Sequence, residues 1–204
     1  MQKLPLSFYQ RENVLTIAKD LLGKLLVTRF NNDLTSGRIV ETEAYNGITD
    51  KASHAFGGRK TRRTEIIFGA GGVAYVYLCY GIHHMFNIVT NVHGTPHAIL
   101  IRGVEPMEGK EIMVERMNKT VFNKTVGKGP GNVAKALGLY TCHTGYSLQG
   151  EEISIEDDGF LPSVSDIITS PRIGVDYAGE DAKLLYRFFI KDNAFVSGKK
   201  VAKL

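Results

Sequence analysis

The chain has 204 residues, 43% of them hydrophobic and 23% charged, enough apolar material for a sizeable core and suited to one domain over residues 1–204. Its 25 lysines and arginines exceed its 21 aspartates and glutamates, a net charge of +4 that by itself names no partner. Two cysteines form neither a disulfide framework nor a metal spacing, and no apolar stretch approaches the ~20 residues of a bilayer span, so no membrane partner is expected and the default compartment is cytoplasmic.

In chain order, residues 11–22, "RENVLTIAKDLL", place Val14, Leu15, Ala18, Leu21 and Leu22 at helical spacing, with Gly23 as a stop. A strand at "KLLVTRF" and a turn at "NND" follow. Next comes "RIVETEAYNG" (38–47), whose strand alternation would put Ile39, Glu41, Glu43 and Tyr45 on one face. Two carboxylates and a phenol in a row are unusual in a segment type where Glu is depleted, although a solvated strand face would also explain them.

Residues 46–72 show no lasting period and read as a loop rich in Gly, Asp and basic residues. Three short strands follow, "VAYVYLCY" (73–80), "HMFNIVTNV" (84–92) and "HAILIRGV" (97–104), with Gly81, Gly94 and Pro96 in the turns, an antiparallel meander. "MEGKEIMVERMN" predicts a helix, and "GKGPGNVAKALGL" (127–139) another that closes near Gly138. Short strands at "EEISIE" and "YRFFIK" complete the chain. The expected fold is α+β: a curved, mostly antiparallel sheet with flanking helices and a protruding β-hairpin.

Charge is segregated along the chain. Arg59, Lys60, Arg62 and Arg63 lie close together, Lys119, Lys124, Lys128 and Lys135 are spread across a Gly/Asn-containing region, and Lys199, Lys200 and Lys203 mark the tail. Acids gather at Glu151, Glu152, Glu156, Asp157 and Asp158. Such segregation suits a face for a polyanion, and equally suits soluble loops.

Within the meander, Tyr75 and Tyr77 share a strand face, while Tyr80 adjoins Gly81 and could project from the hairpin tip. Strand tyrosines ordinarily pack; an aromatic at a tip beside basic loops also fits the wedges that DNA-distorting proteins insert between bases. Six histidines show no zinc spacing, no nucleophile signature occurs, and neither glycine-rich stretch matches a dinucleotide or Walker loop. Cys79, inside an apolar run, reads as a small buried hydrophobe. "GKGPGNV" is either an ordinary start to a helix or a set of free amides facing a phosphate. Arg102, closing "HAILIR", is either a strand-end surface charge or the partner of a carboxylate, with Glu43 a candidate; such a pair would keep Glu43 ionised as a base requires.

Together the blocks "GRIVETEAY" (37–45), "ASHAFGG" (52–58), "YVYLCYGIHHMFNIV" (75–89), "LIRGVEPMEG" (100–109), "GPGNVAKALG" (129–138), "RIGVDYAGE" (172–180) and "RFFIKDNAFVS" (187–197) resemble the 3-methyladenine DNA glycosylases of the alkyladenine type, in family order and nearly end to end. The resemblance implies a base-excision repair enzyme that flips a damaged purine from double-stranded DNA and hydrolyses its N-glycosidic bond. It places the general base on Glu43, with Arg102 and the main-chain carbonyl of Ile173 holding the attacking water. It puts Tyr45 on one face of the flipped base, His54 and Tyr77 on the other, Tyr80 in the vacated stack, and Asn87 against the exocyclic amino group of normal guanine. It assigns Glu41 no role. Thr64, where many relatives carry asparagine, and the variable positions Ile82 and His83 depart from the family pattern. No active-site lysine, metal or organic cofactor is implied, and a monofunctional, monomeric enzyme is expected. A non-catalytic damaged-DNA-binding protein, or an enzyme of free nucleosides on a related sheet, are the competing classes.

Overall fold

A computed structural model describes residues 1–198, so the tail lysines Lys199, Lys200 and Lys203 lie outside the described residues. Two short elements without a sequence period come first, β1 (Gln2–Lys3) and α1 (Leu6–Tyr9). The helix expected over 11–22 is α2 (Val14–Asp20), shortened at its start because Asn13 caps it: the Asn13 Oδ1 accepts from the amides of Leu15 and Thr16. Gly23, at φ +90°, turns the chain into β2 (Leu25–Phe30). Asn31 and Asn32, both at positive φ, then form the two-residue connection to β3 (Asp33–Tyr45), where asparagine tolerates the left-handed backbone that hairpin turns demand.

The meander is β4 (Val73–Cys79), β5 (His83–Thr90) and β6 (His97–Pro106), antiparallel throughout. After it come α3 (Lys110–Arg116), α4 (Pro130–Leu137), β7 (Ile153–Asp157), β8 (Ile167–Ser170) and β9 (Arg187–Ile190). The strands join one curled antiparallel sheet in the order β1-β7-β2-β3-β6-β5-β4, with β9 pairing β3 and β8 pairing β9. This is the α+β architecture expected, and no described helix is long and apolar enough to cross a membrane.

One face of the sheet packs against α2 and α4. Val14, Ile17 and Ala18 from α2, and Val133, Ala134 and Leu137 from α4, meet Ala74, Val76, Phe86, Ile88, Ile99, Ile101 and Phe188 in the main core. Each fully buried Val, Leu, Ile or Phe among them contributes about 1.5–3 kcal/mol. Strict alternation then sends Tyr75, Tyr77, Asn87, Leu100 and Arg102 to the other face.

The sequence expectation for β3 needs one correction. Ile39 does not share a face with Glu41, Glu43 and Tyr45: it belongs to the main core with Ala44. Two register shifts explain this, because Ile39 pairs Val104 and Glu41 pairs Gly103, leaving Val40 as an extra residue, while the step to Thr42–Ile101 leaves Arg102 extra on β6. The paired bulges turn the last half of β3 over relative to its first half. They also mark where β2 stops pairing with β3 and β9 begins. Cys79 needs correction too. It is only half-buried and lines a cavity, because it ends β4 where the hairpin leaves the body of the sheet.

Candidate active site

On the face away from the helices, β3 contributes Glu41, Glu43 and Tyr45, β6 contributes Arg102 and β9 contributes Arg187. Glu41 and Glu43 are both fully buried. Glu43 accepts three hydrogen bonds: the Tyr45 hydroxyl donates to Oε2 at 2.9 Å, Arg102 Nη1 to the same oxygen at 3.3 Å, and the Ile173 amide to Oε1 at 2.8 Å. A carboxylate offers about four lone-pair sites, so one position on Oε1 remains for a further donor. Arg102 is thus the carboxylate partner and not a surface charge. Burial works against its charge, and Glu43 and Glu41 outweigh that, so its pKa is raised. Burial and the neighbouring Glu43 also push the Tyr45 phenol well up, keeping its proton on the oxygen that donates.

Tyr45, Arg102 and Ile173 form part of the wall of a cavity of about 640 Å³, so Glu43 lies directly behind that wall. His54, Phe56, Tyr77, Tyr80 and Tyr177 add to its aromatic lining, and Arg59, Arg63 and Lys51 border it from the loop. The His54 Nδ1 shares a 2.9 Å hydrogen bond with the Tyr75 hydroxyl, and its ring meets Tyr77 edge-on at 4.6 Å between centroids. Burial, reinforced by Arg63 and Arg59, pushes the His54 pKa down to about 4, leaving a neutral imidazole in the wall at physiological pH. Burial raises Tyr77 as well, so its phenol, like the His54 ring, stays neutral in the wall. Such a wall suits a flat heteroaromatic guest.

Asn87 is buried beside a smaller cavity of about 40 Å³ that also touches Tyr45, His54 and Tyr77. Its Nδ2 donates to the Tyr75 and Met85 carbonyls at 3.2 and 3.0 Å, which fixes the side chain. Tyr80 stands apart: at the tip between β4 and β5 it is 90% exposed, with φ +51°, an unusual backbone for a tyrosine. Ile82, 71% exposed, projects beside it. The first turn of α4 comes close to this hairpin, since Gly131 faces the His83 ring and Pro130 lines the large cavity.

The structure therefore gathers Glu43, Arg102, Ile173, Tyr45, His54 and Tyr77 around one cavity, with Asn87 at its smaller neighbour and Tyr80 on its rim. Ile173 meets Glu43 through its main-chain amide. Sequence reading missed a second buried pair. Arg172 meets Asp50 through both nitrogens, Nη1 to Oδ2 at 2.5 Å and Nη2 to Oδ1 at 2.8 Å, and also donates to the Ala44 and Asp181 carbonyls. Its guanidinium lies 4.9 Å from the centre of the Tyr45 ring. It missed Arg187 as well, whose Nε donates to Glu41 at 2.7 Å. An arginine inside the apolar run "RFFI" was the available signal, since such a charge is buried only with a partner.

Residues 7–194 match the family model for methylpurine-DNA glycosylase. A protein of Clostridium perfringens (strain 13 / Type A), bearing the name "Putative 3-methyladenine DNA glycosylase", is 42% identical over 97% of this chain and 100% of its own length. A protein of the same name from Bacillus cereus (strain G9842) is 46% identical over 96% of this chain and 98% of its own. Another from Clostridium acetobutylicum is 44% identical over 96% and 97%. With identity at that level running nearly end to end through the strands that build the cavity, the chain belongs to the methylpurine-DNA glycosylase family, DNA-repair hydrolases that act on N-glycosyl bonds.

Proposed function

We propose that this enzyme flips alkylated or deaminated purines out of double-stranded DNA and hydrolyses their N-glycosidic bond with a water activated by Glu43, leaving an abasic site. The observation that carries this reading is the placement of Glu43: a buried carboxylate with one open acceptor site, directly behind an aromatic cavity and paired to Arg102. In this reading the water sits against Oε1, held also by Arg102 and the Ile173 carbonyl. Glu43 takes its proton as the oxygen attacks C1′ and the bond to the base breaks.

Tyr45 lies against one face of the extruded base, and His54 and Tyr77 against the other. Cationic alkylpurines stack well on electron-rich rings and leave readily, because departure neutralises them. Asn87, held by two main-chain carbonyls, cannot swing aside for the exocyclic amino group of guanine. Extrusion costs a few kcal/mol, least for damaged or mismatched bases, and Tyr80 entering the vacated stack offsets part of it. Arg59 and Arg63 at the cavity border suit the phosphates of the flipped nucleotide.

The test uses duplexes carrying a single hypoxanthine, ethenoadenine or 3-methyladenine, incubated with wild type and Glu43→Gln and then heated in alkali to reveal abasic sites. Cleavage by wild type alone, with undamaged duplex intact, is the expected result. Equal cleavage by Glu43→Gln would remove Glu43 as the base. No abasic site from a folded, duplex-binding wild type would leave a damaged-DNA-binding protein. Strand breaks before the alkali step would overturn monofunctional chemistry and point to Lys51, which borders the cavity.

A further inference from the structure

Glu41 stands two residues before Glu43 on the same face of β3, fully buried and outside the cavity wall. It accepts from Arg187 Nε at 2.7 Å, from the Ser197 amide at 2.6 Å, from the Ser197 hydroxyl at 3.0 Å and from Arg102 Nε at 3.4 Å. Arg187 is otherwise tied to the Ser170 hydroxyl and the Ser197 carbonyl. Arg102 is therefore held along one edge by Glu41, through Nη2 by the Ser197 hydroxyl at 3.3 Å, and extends only Nη1 to Glu43.

Two carboxylates thus face two guanidiniums in a dry cluster, and Arg102 is shared between the carboxylates. Among the described residues, the other charged or titratable groups near Glu43 are Arg172, which Asp50 neutralises, and the phenols of Tyr45, Tyr77 and Tyr177. From this arrangement we infer that Glu41 is the positioning residue of the water-activating pair: it fixes Arg102 so that one nitrogen meets Glu43, and it balances Arg187 so that Glu43 answers to Arg102 alone. This rests on Glu43 being the base. It gives the second acid of "ETEA" a task. A buried carboxylate in that position without such a task would be a costly way to fill a strand.

The consequence is directional. Glu41→Gln keeps shape and volume but leaves two guanidiniums facing one carboxylate. The excess positive charge stabilises the ionised Glu43 and weakens it as a base. Single-turnover release of 3-methyladenine from methylated duplex DNA should fall about tenfold to a hundredfold, the scale of a misplaced catalytic group. The acidic limb of the pH–rate profile should move to lower pH by about 1 unit. Duplex affinity should stay at the wild-type value, because Glu41 does not reach the cavity. A merely structural role would lower the active fraction without moving the limb.

If Glu41→Gln does not fold, as judged by far-UV circular dichroism, Ser197→Ala decides. It removes the hydroxyl shared by Glu41 and Arg102, keeps every charge, and should lower the single-turnover rate without moving the limb or the duplex affinity. A folded Glu41→Gln with the wild-type rate and limb, or Ser197→Ala at the wild-type rate, overturns the inference. Glu43→Gln run in parallel separates the two failures. If it is inactive while the Glu41 variant is unchanged, only the positioning role is lost. If it is fully active, the Glu43 mechanism itself is lost.

Discussion

Replacing Asp50 by asparagine removes one charge from a pair that is almost wholly dry, with side-chain exposure of 1% for Asp50 and 0% for Arg172. The Asp50 carboxylate accepts four hydrogen bonds. Oδ2 takes the Asn46 amide and Arg172 Nη1, and Oδ1 takes the Ala52 amide and Arg172 Nη2. Whichever way an asparagine amide is turned, its NH₂ confronts one backbone N–H and one guanidinium N–H, while Arg172 becomes a buried cation without a counter-charge. Breaking a buried pair from one side costs about 3–5 kcal/mol. The total stability of a natural domain is only about 5–15 kcal/mol. The variant should therefore unfold at clearly lower urea, with m unchanged. Its thermal midpoint should fall by roughly 6–20 °C, taking about 2–4 °C per kcal/mol for a chain of this size. Urea titration followed by far-UV circular dichroism gives the free energy directly. Arg172→Met added to Asp50→Asn should recover part of the loss, since the unpaired charge is then gone. Arg172 precedes the Ile173 amide that binds Glu43 and also covers the Tyr45 ring, so the folded fraction of Asp50→Asn should excise more slowly. A stability loss below about 1 kcal/mol, the scale of an exposed pair, would refute the reasoning.

Two further outcomes are expected. Tyr80→Ala should leave the unfolding curve unchanged, because the side chain is 90% exposed, but slow excision from duplex by about 5- to 150-fold, the worth of about 1–3 kcal/mol of base stacking; a wild-type rate on duplex would exclude Tyr80 as the wedge. His54, held down at about 4 in the folded chain against about 6.5 unfolded, contributes stability that is fully present above the unfolded value and is lost as pH falls toward the folded one, because there the unfolded chain binds a proton that the native chain does not. Urea midpoints measured from pH 7 to pH 4 should decline less steeply in His54→Gln, and identical slopes would show that His54 titrates normally.

Much of this molecule was legible in its sequence, and for local reasons. Apolar spacing set α2, the Gly/Pro entry and the closing Gly138 set α4, the alternation and turn residues of 73–104 set the meander, and the Tyr80–Gly81 pair marked its exposed tip. The motif "ETEAY" and the end of "HAILIR" supplied Glu43 and Arg102, whose contact requires only that β3 and β6 lie side by side. The tertiary structure alone decided the rest. The extra residue at Val40 moved Ile39 into the core and kept the two acids on the opposite face, and no spacing rule shows a bulge before the strands are paired. Glu41 finds Arg187 and Ser197 across separations of 146 and 156 residues, and Asp50 finds Arg172 across 122. These partners meet because β9 and the 171–175 segment dock where β2 releases β3. A buried charge announces that it needs a partner, and only the folded chain determines which one reaches it.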